Sequence, residues 1–298
     1  MILGRAVAVC LVWVAAFGAG GGARPEMQTI SIPGIPMELV FRALQPGEVL
    51  LAEMKDSPSV RRISVRLGGR KYELDRSTGT RPGVFIGLDL GLKSGPLVLD
   101  VVGEKTDGSV EHYSEELAVA PREYSKRYIR VDETMLAPPP AEKERVKREQ
   151  DLLQAVLGVK TPDWLGTGSF IPPLAQEAFQ NFGQNRIYNK RVSSVHAGVD
   201  IAAPYGTPVR ASNSGNVVLA SDFYLNGKIV VIDHGRGVFS LYFHCSKLLV
   251  KRGDRVRKGA FIARVGNTGR STGPHLHWGI RIFDSRVDPF SLVALPLE

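Results

Sequence analysis

KIVVIDHGRGVFSLYFHC, residues 228–245, decides the fold class. Two runs dense in β-branched and aromatic residues, KIVVIDH and VFSLYFH, are punctuated by Gly235 and Gly237. Such runs favour pleated strands. Outward from this stretch the pattern repeats, with VRAS and NVVLA before it and FIARVG and HLHWGIRI after it. Gly215, Gly227, Gly253, Gly259 and Gly266 add further breaks. No helix-period segment interrupts, so residues 168–295 are expected to form an antiparallel sheet folded on itself.

Upstream the chain changes character twice. Residues 25–131 carry short runs (TISI, EVLLAEM, RRISVRL, GVFIGLDL, PLVLDVV and EELAVA) separated by Gly, Pro or Asp turns. That spacing predicts a small β-sandwich, immunoglobulin-like on pattern alone. No residue in it reads as catalytic; its single histidine, His112, sits in the polar run DGSVEHYSEE and reads as surface. APPP at 137–140 blocks regular structure and suits a helix start. AEKERVKREQDLLQAVLG then predicts a linker helix within 137–160, stopped at Gly158, with Val146, Leu153, Val156 and Leu157 on one stripe. The expected fold is therefore mainly β: an N-terminal sandwich, a lightly docked linker helix and a C-terminal antiparallel sheet.

Arg5 followed by AVAVCLVWVAAFGAGGGA has the form of a secretory signal peptide over residues 1–23, with cleavage between Ala19 and Ala23. An uncleaved membrane anchor is the competing reading, since the run is close to the lower length limit for a span. Membrane association is expected only through such an uncleaved segment. The 298-residue chain carries a net charge of +8, which becomes 8 − 1 = +7 once Arg5 is removed. Its basic residues are spread rather than clustered beside aromatics, so no nucleic-acid partner is expected. Cys10 lies in the leader and Cys245 would stand alone after cleavage, which excludes a disulfide framework.

The chemistry lies in three motifs: SVHAGVDIAAP, SLYFHC and GPHLHWGI. His196 and Asp200 are four apart, and His275 and His277 two apart, so period two places each pair on one strand face. By the same count His244 shares a face with Tyr242. Two imidazoles and a carboxylate are ordinary zinc ligands, and catalytic zinc sites keep one position open. His196, Asp200 and His277 would supply such a site. His244 and His275 would remain for acid–base work, for which imidazole titrates in the right range. Zinc brings the pKa of a bound water from about 15.7 to roughly 7. Each motif alone is weak; together, in one β-rich unit, they favour a metal site.

Residues 180–290 resemble the lysostaphin and LytM-like zinc murein endopeptidases. The resemblance is carried by NFGQNRIYN, HAGVDIAAPYGTPVRAS, GNVVLA, IVVIDHGRGVFSLYFHC, KRGDRVRKGAFIARVGNTGRSTGPHLHWGI and RVDPF. It implies one zinc ion held by His196, Asp200 and His277, with His275 as general base and His244 assisting in the transition state. It also implies substrate contact by Arg186, Tyr188 and Asn189, and peptidoglycan stem peptides as the partner. A secreted, periplasmic DD-endopeptidase follows as the expected activity, lost as imidazoles charge near pH 6, an estimate from the reference pKa. His234 matches a family histidine that is not a ligand. Cys245 stands where leucine is usual and reads as a small buried hydrophobe.

Three rival classes compete. A non-catalytic LytM-like regulator would typically lack some ligands, and all are present here. A biotinyl or lipoyl carrier would need a tight hairpin around its lysine, which KRGDRVRKGAFIARVG does not provide. A metal-storing β-protein would lack an open coordination position.

Overall fold

A computed structural model describes residues 26–75, 83–131, 133–136, 138–159 and 161–297. The expected leader at 1–23 lies outside the described residues. Among those described, no helix is long and apolar enough to cross a membrane.

The fold is mainly β. Strands β1 (Gln28–Ser31), β2 (Met37–Phe41), β3 (Val49–Met54) and β6 (Gly83–Gly87) form an antiparallel sheet in the order β1-β2-β3-β6. Strands β4 (Val60–Leu67), β5 (Arg70–Asp75), β7 (Gly95–Lys105) and β8 (Val110–Val119) form a second, ordered β5-β4-β7-β8. Alternation explains how they meet: Ile63, Val65 and Leu67 turn inward from β4, and pack with Leu39 and Leu50 of the other sheet in one buried cluster.

The carboxy-terminal half is a nine-stranded antiparallel sheet with the path β12-β19-β16-β15-β14-β17. Its members are β12 (Val199–Ala202), β13 (Pro208–Arg210), β14 (Gly215–Phe223), β15 (Gly227–Asp233), β16 (Val238–Leu248), β17 (Arg255–Val256), β18 (Phe261–Val265), β19 (His275–Ile282) and β20 (Ser285–Val287). The continuous apolar character of residues 228–245 has a physical cause: both faces of β15 and β16 are covered. Val230, Ile232, Val238 and Tyr242 enter the main core. Ile229, Val231, Phe239, Leu241 and Phe243 enter a second cluster on the other face.

That second cluster is closed by the helix α2 (Lys143–Leu157), which follows the single turn α1 (Glu133–Leu136) and ends at Gly158. Val146, Val156 and Leu157 are buried, and Val156 and Leu157 join the cluster with Leu153 packed beside them. The lightly docked linker of the sequence reading is thus the lid of the sheet's second face. A short helix α3 (Pro289–Ala294) begins at Asp288, whose carboxylate accepts from the Phe290 amide.

The two halves share a core. Val40, Val49, Leu51, Phe85 and Leu90 sit in the same buried cluster as Trp278, Ile280 and Leu292. Arg42 and Arg122 each bind Glu48, which is 2% exposed, and Asp288. A third, small sheet joins the halves as well. β9 (Lys126–Ile129) runs parallel to β10 (Asn185–Tyr188), which pairs antiparallel with β11 (Val192–Val195).

Candidate metal and catalytic centre

The centre is assembled at the junction of β12 and β19. Asp200 and His277 are direct partners across that ladder, and Ala202 pairs with His275. Period two then brings His275 and His277 to one face of β19, as expected. His196 reaches the same point by another route. It lies outside β12, past the end of β11, and the chain bends at Gly198 to bring it in. The shared-strand reading of His196 and Asp200 is corrected here. The bend admits only glycine: a Cβ at position 198 would lie 2.5 Å from the Trp278 carbonyl oxygen and 2.7 Å from His277 Nε2.

Three donor atoms converge. His196 Nε2 is 2.8 Å from His277 Nδ1 and 3.0 Å from Asp200 Oδ1, and His277 Nδ1 is 3.2 Å from the same oxygen. Tetrahedral zinc with bonds of about 2.0–2.1 Å holds its donors roughly 3.3 Å apart, so this set fits such an ion. His196 Nδ1 donates to the Asn181 carbonyl at 2.8 Å, which fixes the tautomer and leaves Nε2 as a lone-pair donor. The Asn181 side chain also donates to Asp200 Oδ2 and accepts from the Asp200 amide, both at 3.1 Å. Arg186 makes a 2.5 Å ion pair with that same Oδ2.

Electrostatics keep the donors in metal-binding form. Burial alone would raise the Asp200 carboxyl, but its close contacts with His196 and His277 outweigh it and hold it well below the ordinary carboxylate range. Burial pushes His277 down to about 3, with Asp200 opposing.

His244 and His275 stand beside this group, their rings 4.8 Å apart. His275 Nδ1 donates to Gly273 O at 2.8 Å and its Nε2 lies 3.7 Å from Asp200 Oδ1. His244 Nδ1 donates to Thr268 O at 2.9 Å. Burial first, and His275 second, push His244 down to about 4. The reading that His244 shares a face with Tyr242 is also corrected. Tyr242 pairs with Trp278 in the main core, whereas Phe243 pairs with His277 and stacks on its ring at 5.1 Å. A β-bulge opposite Lys228–Val230 and a left-handed backbone at His244 (φ 63°) swing this histidine out of the core and onto the cleft. Bulges re-aim side chains in this way.

A cleft of about 270 Å³ opens over the centre. Arg186 and Tyr188 line it. Asn189 does not; its side chain binds the backbone of Val131 on both sides, accepting at 2.9 Å and donating at 2.7 Å. Cys245 is fully buried in the main core, where burial raises its thiol to about 12. His234 is likewise buried, its Nδ1 donating to Ser214 O.

The sequence reading missed Asn181, Arg127 and Arg270. Asn181 opens the quoted NFGQNRIYN motif, but its role depends on a fold that returns it beneath two candidate ligands. Arg127 lies in a stretch read as non-catalytic, yet it lines the cleft. Arg270 carried a usable hint, since the glycine-rich NTGRSTG loop runs directly into His275.

Comparison with known proteins agrees with this geometry. Residues 194–289 match Peptidase family M23. Over 100 residues the chain is 47% identical to the peptidoglycan DD-endopeptidase ShyA of Vibrio cholerae, covering 33% of this chain and 23% of that one. Over 102 residues it is 49% identical to the DD-carboxypeptidase/endopeptidase Mpg of Neisseria meningitidis, covering 34% of this chain and 23% of that one. The chain therefore aligns with about a quarter of the length of these relatives. A crystal structure from Pseudomonas aeruginosa assigned to peptidase M23 superposes with a TM-score of 0.64 at 28% identity, over 85% of this chain and 96% of that one. That likeness extends beyond the matched segment into the amino-terminal half.

Proposed function

The chain carries a domain of peptidase family M23, and from that premise we propose that it is a zinc-dependent endopeptidase cleaving the peptide crosslinks of peptidoglycan, with DD-endopeptidase specificity. One observation carries the reading: two imidazole nitrogens and a carboxylate oxygen lie within 3.2 Å of one another at the base of a cleft.

His196, Asp200 and His277 would hold one zinc ion, with Asn181 and Arg186 orienting them. When bound, the ion supplies a Lewis acid that polarises the scissile carbonyl and acidifies water. The remaining steps fall to side chains of the chain. His275 donates from Nδ1 to Gly273, so its neutral ring presents Nε2 as a proton acceptor. His244 is oriented the same way by Thr268. Because burial resists its protonation, we assign the resting base to His275 and to His244 a supporting role in the transition state. A proton taken at Nε2 turns the imidazole into the donor that the departing amine requires. Tyr188 and Arg186 form part of the cleft wall against which the substrate lies.

For organisation and placement, we read residues 1–23 as a leader, 25–131 as a β-sandwich domain, 137–160 as the connecting helix and 168–295 as the peptidase. Export to the periplasm follows from that leader, and membrane association only if it stays uncleaved. The test is direct. Protein loaded with zinc, incubated with crosslinked muropeptide dimers, should release monomers, and His277→Ala should abolish the release. Dimers left intact by zinc-loaded protein would refute the proposal.

A further inference from the structure

The cleft has a wall that the family match does not contain. β9 and β10 both precede residue 194, and their register places Arg127 opposite Arg186 and Ile129 opposite Tyr188. Period two then turns these four side chains to one face, and all four line the cleft. The contact is secured at both ends of β9: the Asn185 amide donates to Ser125 O, and Asn189 holds Val131. The segment between the halves is therefore part of the site.

Charge in the cleft is unbalanced. Asp200 is the only acidic residue lining the cleft among the described residues, and it is engaged by Arg186 and the histidines. Arg127 and Arg270 also line the cleft, and among the described residues neither forms an ion pair. Arg270 lies over the Tyr188 ring, its guanidinium carbon 5.6 Å from the centroid. That contact holds the Arg270 guanidinium beside the cleft it lines.

We infer that Arg127 and Arg270 form a carboxylate-binding subsite, which selects a scissile bond whose amine-side residue carries a free α-carboxylate. The inference rests on the endopeptidase reading and names its substrate class. Such a carboxylate is attached one carbon from the scissile nitrogen. Arg127 from β9 and Arg270 from the loop before β19 both line the same cleft of about 270 Å³, so such a carboxylate is held within a small space lined by both. A guanidinium binds a carboxylate through two parallel, charge-assisted N–H···O bonds. A glycine-bridge substrate with amidated neighbours would leave both arginines unused.

The test separates binding from hydrolysis. Binding of a crosslinked stem-peptide dimer, N-methylated at the scissile amide, is measured on metal-loaded full-length protein by calorimetry. The dimer is compared as the free acid and as the α-carboxamide. The acid should bind about tenfold more tightly, as expected for a charge-assisted pair in partial solvent. The double variant Arg127→Gln/Arg270→Gln should bring the acid to the affinity of the amide and leave the amide unchanged. Both side chains are exposed, so retention of the wild-type circular dichroism spectrum is expected. Equal binding of acid and amide by the wild-type protein overturns the subsite, as does a preference that survives in the double variant. A preference for the acid without cleavage of the unmethylated dimer supports the subsite and sinks the hydrolase reading alone.

Discussion

Asn181 holds two proposed ligands from one position. Its carbonyl fixes the His196 tautomer while its side chain bridges the amide and carboxylate of Asp200. Outer partners of this kind are worth about 10–100-fold in metal affinity. Asn181→Ala should therefore weaken zinc binding by that order, read by chelator competition, with the backbone contact to His196 preserving part of the site. His244 gives a pH prediction. Burial holds its folded pKa near 4, below the unperturbed value, so it is neutral above that pH and charged below it. Loss of activity through His244 should then come near pH 4, rather than near 6 as the unperturbed imidazole implies. A kcat profile in His275-intact enzyme whose His244→Asn variant shares the same limb near pH 4 would remove His244 as its source.

At the scale of elements, α2 and β16 are coupled through one layer of side chains. The helix buries Val156 and Leu157 on the sheet face that also contains Phe243, and Phe243 stacks on His277. The helix was legible as an amphipathic segment with a glycine stop. Its partner face was not, because β15 and β16 are apolar on both sides and periodicity cannot say what covers each. Leu157→Ala removes part of that layer and should cost about 2–3 kcal/mol, measured as a lower urea midpoint. The β-bulge in β16 lies beyond any two-residue count, because one extra residue inverts the facing of all that follow it. It explains how His244 leaves the core while Cys245 enters it.

For the whole molecule, the two halves behave as one packed body. Shared core residues and the cluster of Arg42, Arg122, Glu48 and Asp288 cross the boundary. Glu48→Ala leaves two arginines facing each other beside Asp288. Removing one partner of a buried pair costs about 3–5 kcal/mol, and partial exposure of both arginines places this case at the low end. Calorimetry of the wild-type protein should give a single transition spanning both halves. Two separated transitions, or an unaffected midpoint in Glu48→Ala, would contradict a shared core.

The sequence by itself determined what depends on local chemistry and spacing. The β class follows from runs such as KIVVIDH, the helix end from Gly158, and the candidate metal donors from His196, Asp200 and His277, since residue kinds and short periods are written directly in the chain. Tertiary structure alone decided what depends on distant segments meeting. The bend at Gly198 carries His196 across to β19, Asn181 returns beneath two proposed ligands, and β9 supplies Arg127 to a cleft whose histidines lie far along the chain. His196 and His277 alone are 81 positions apart, and only packing fixes such pairings.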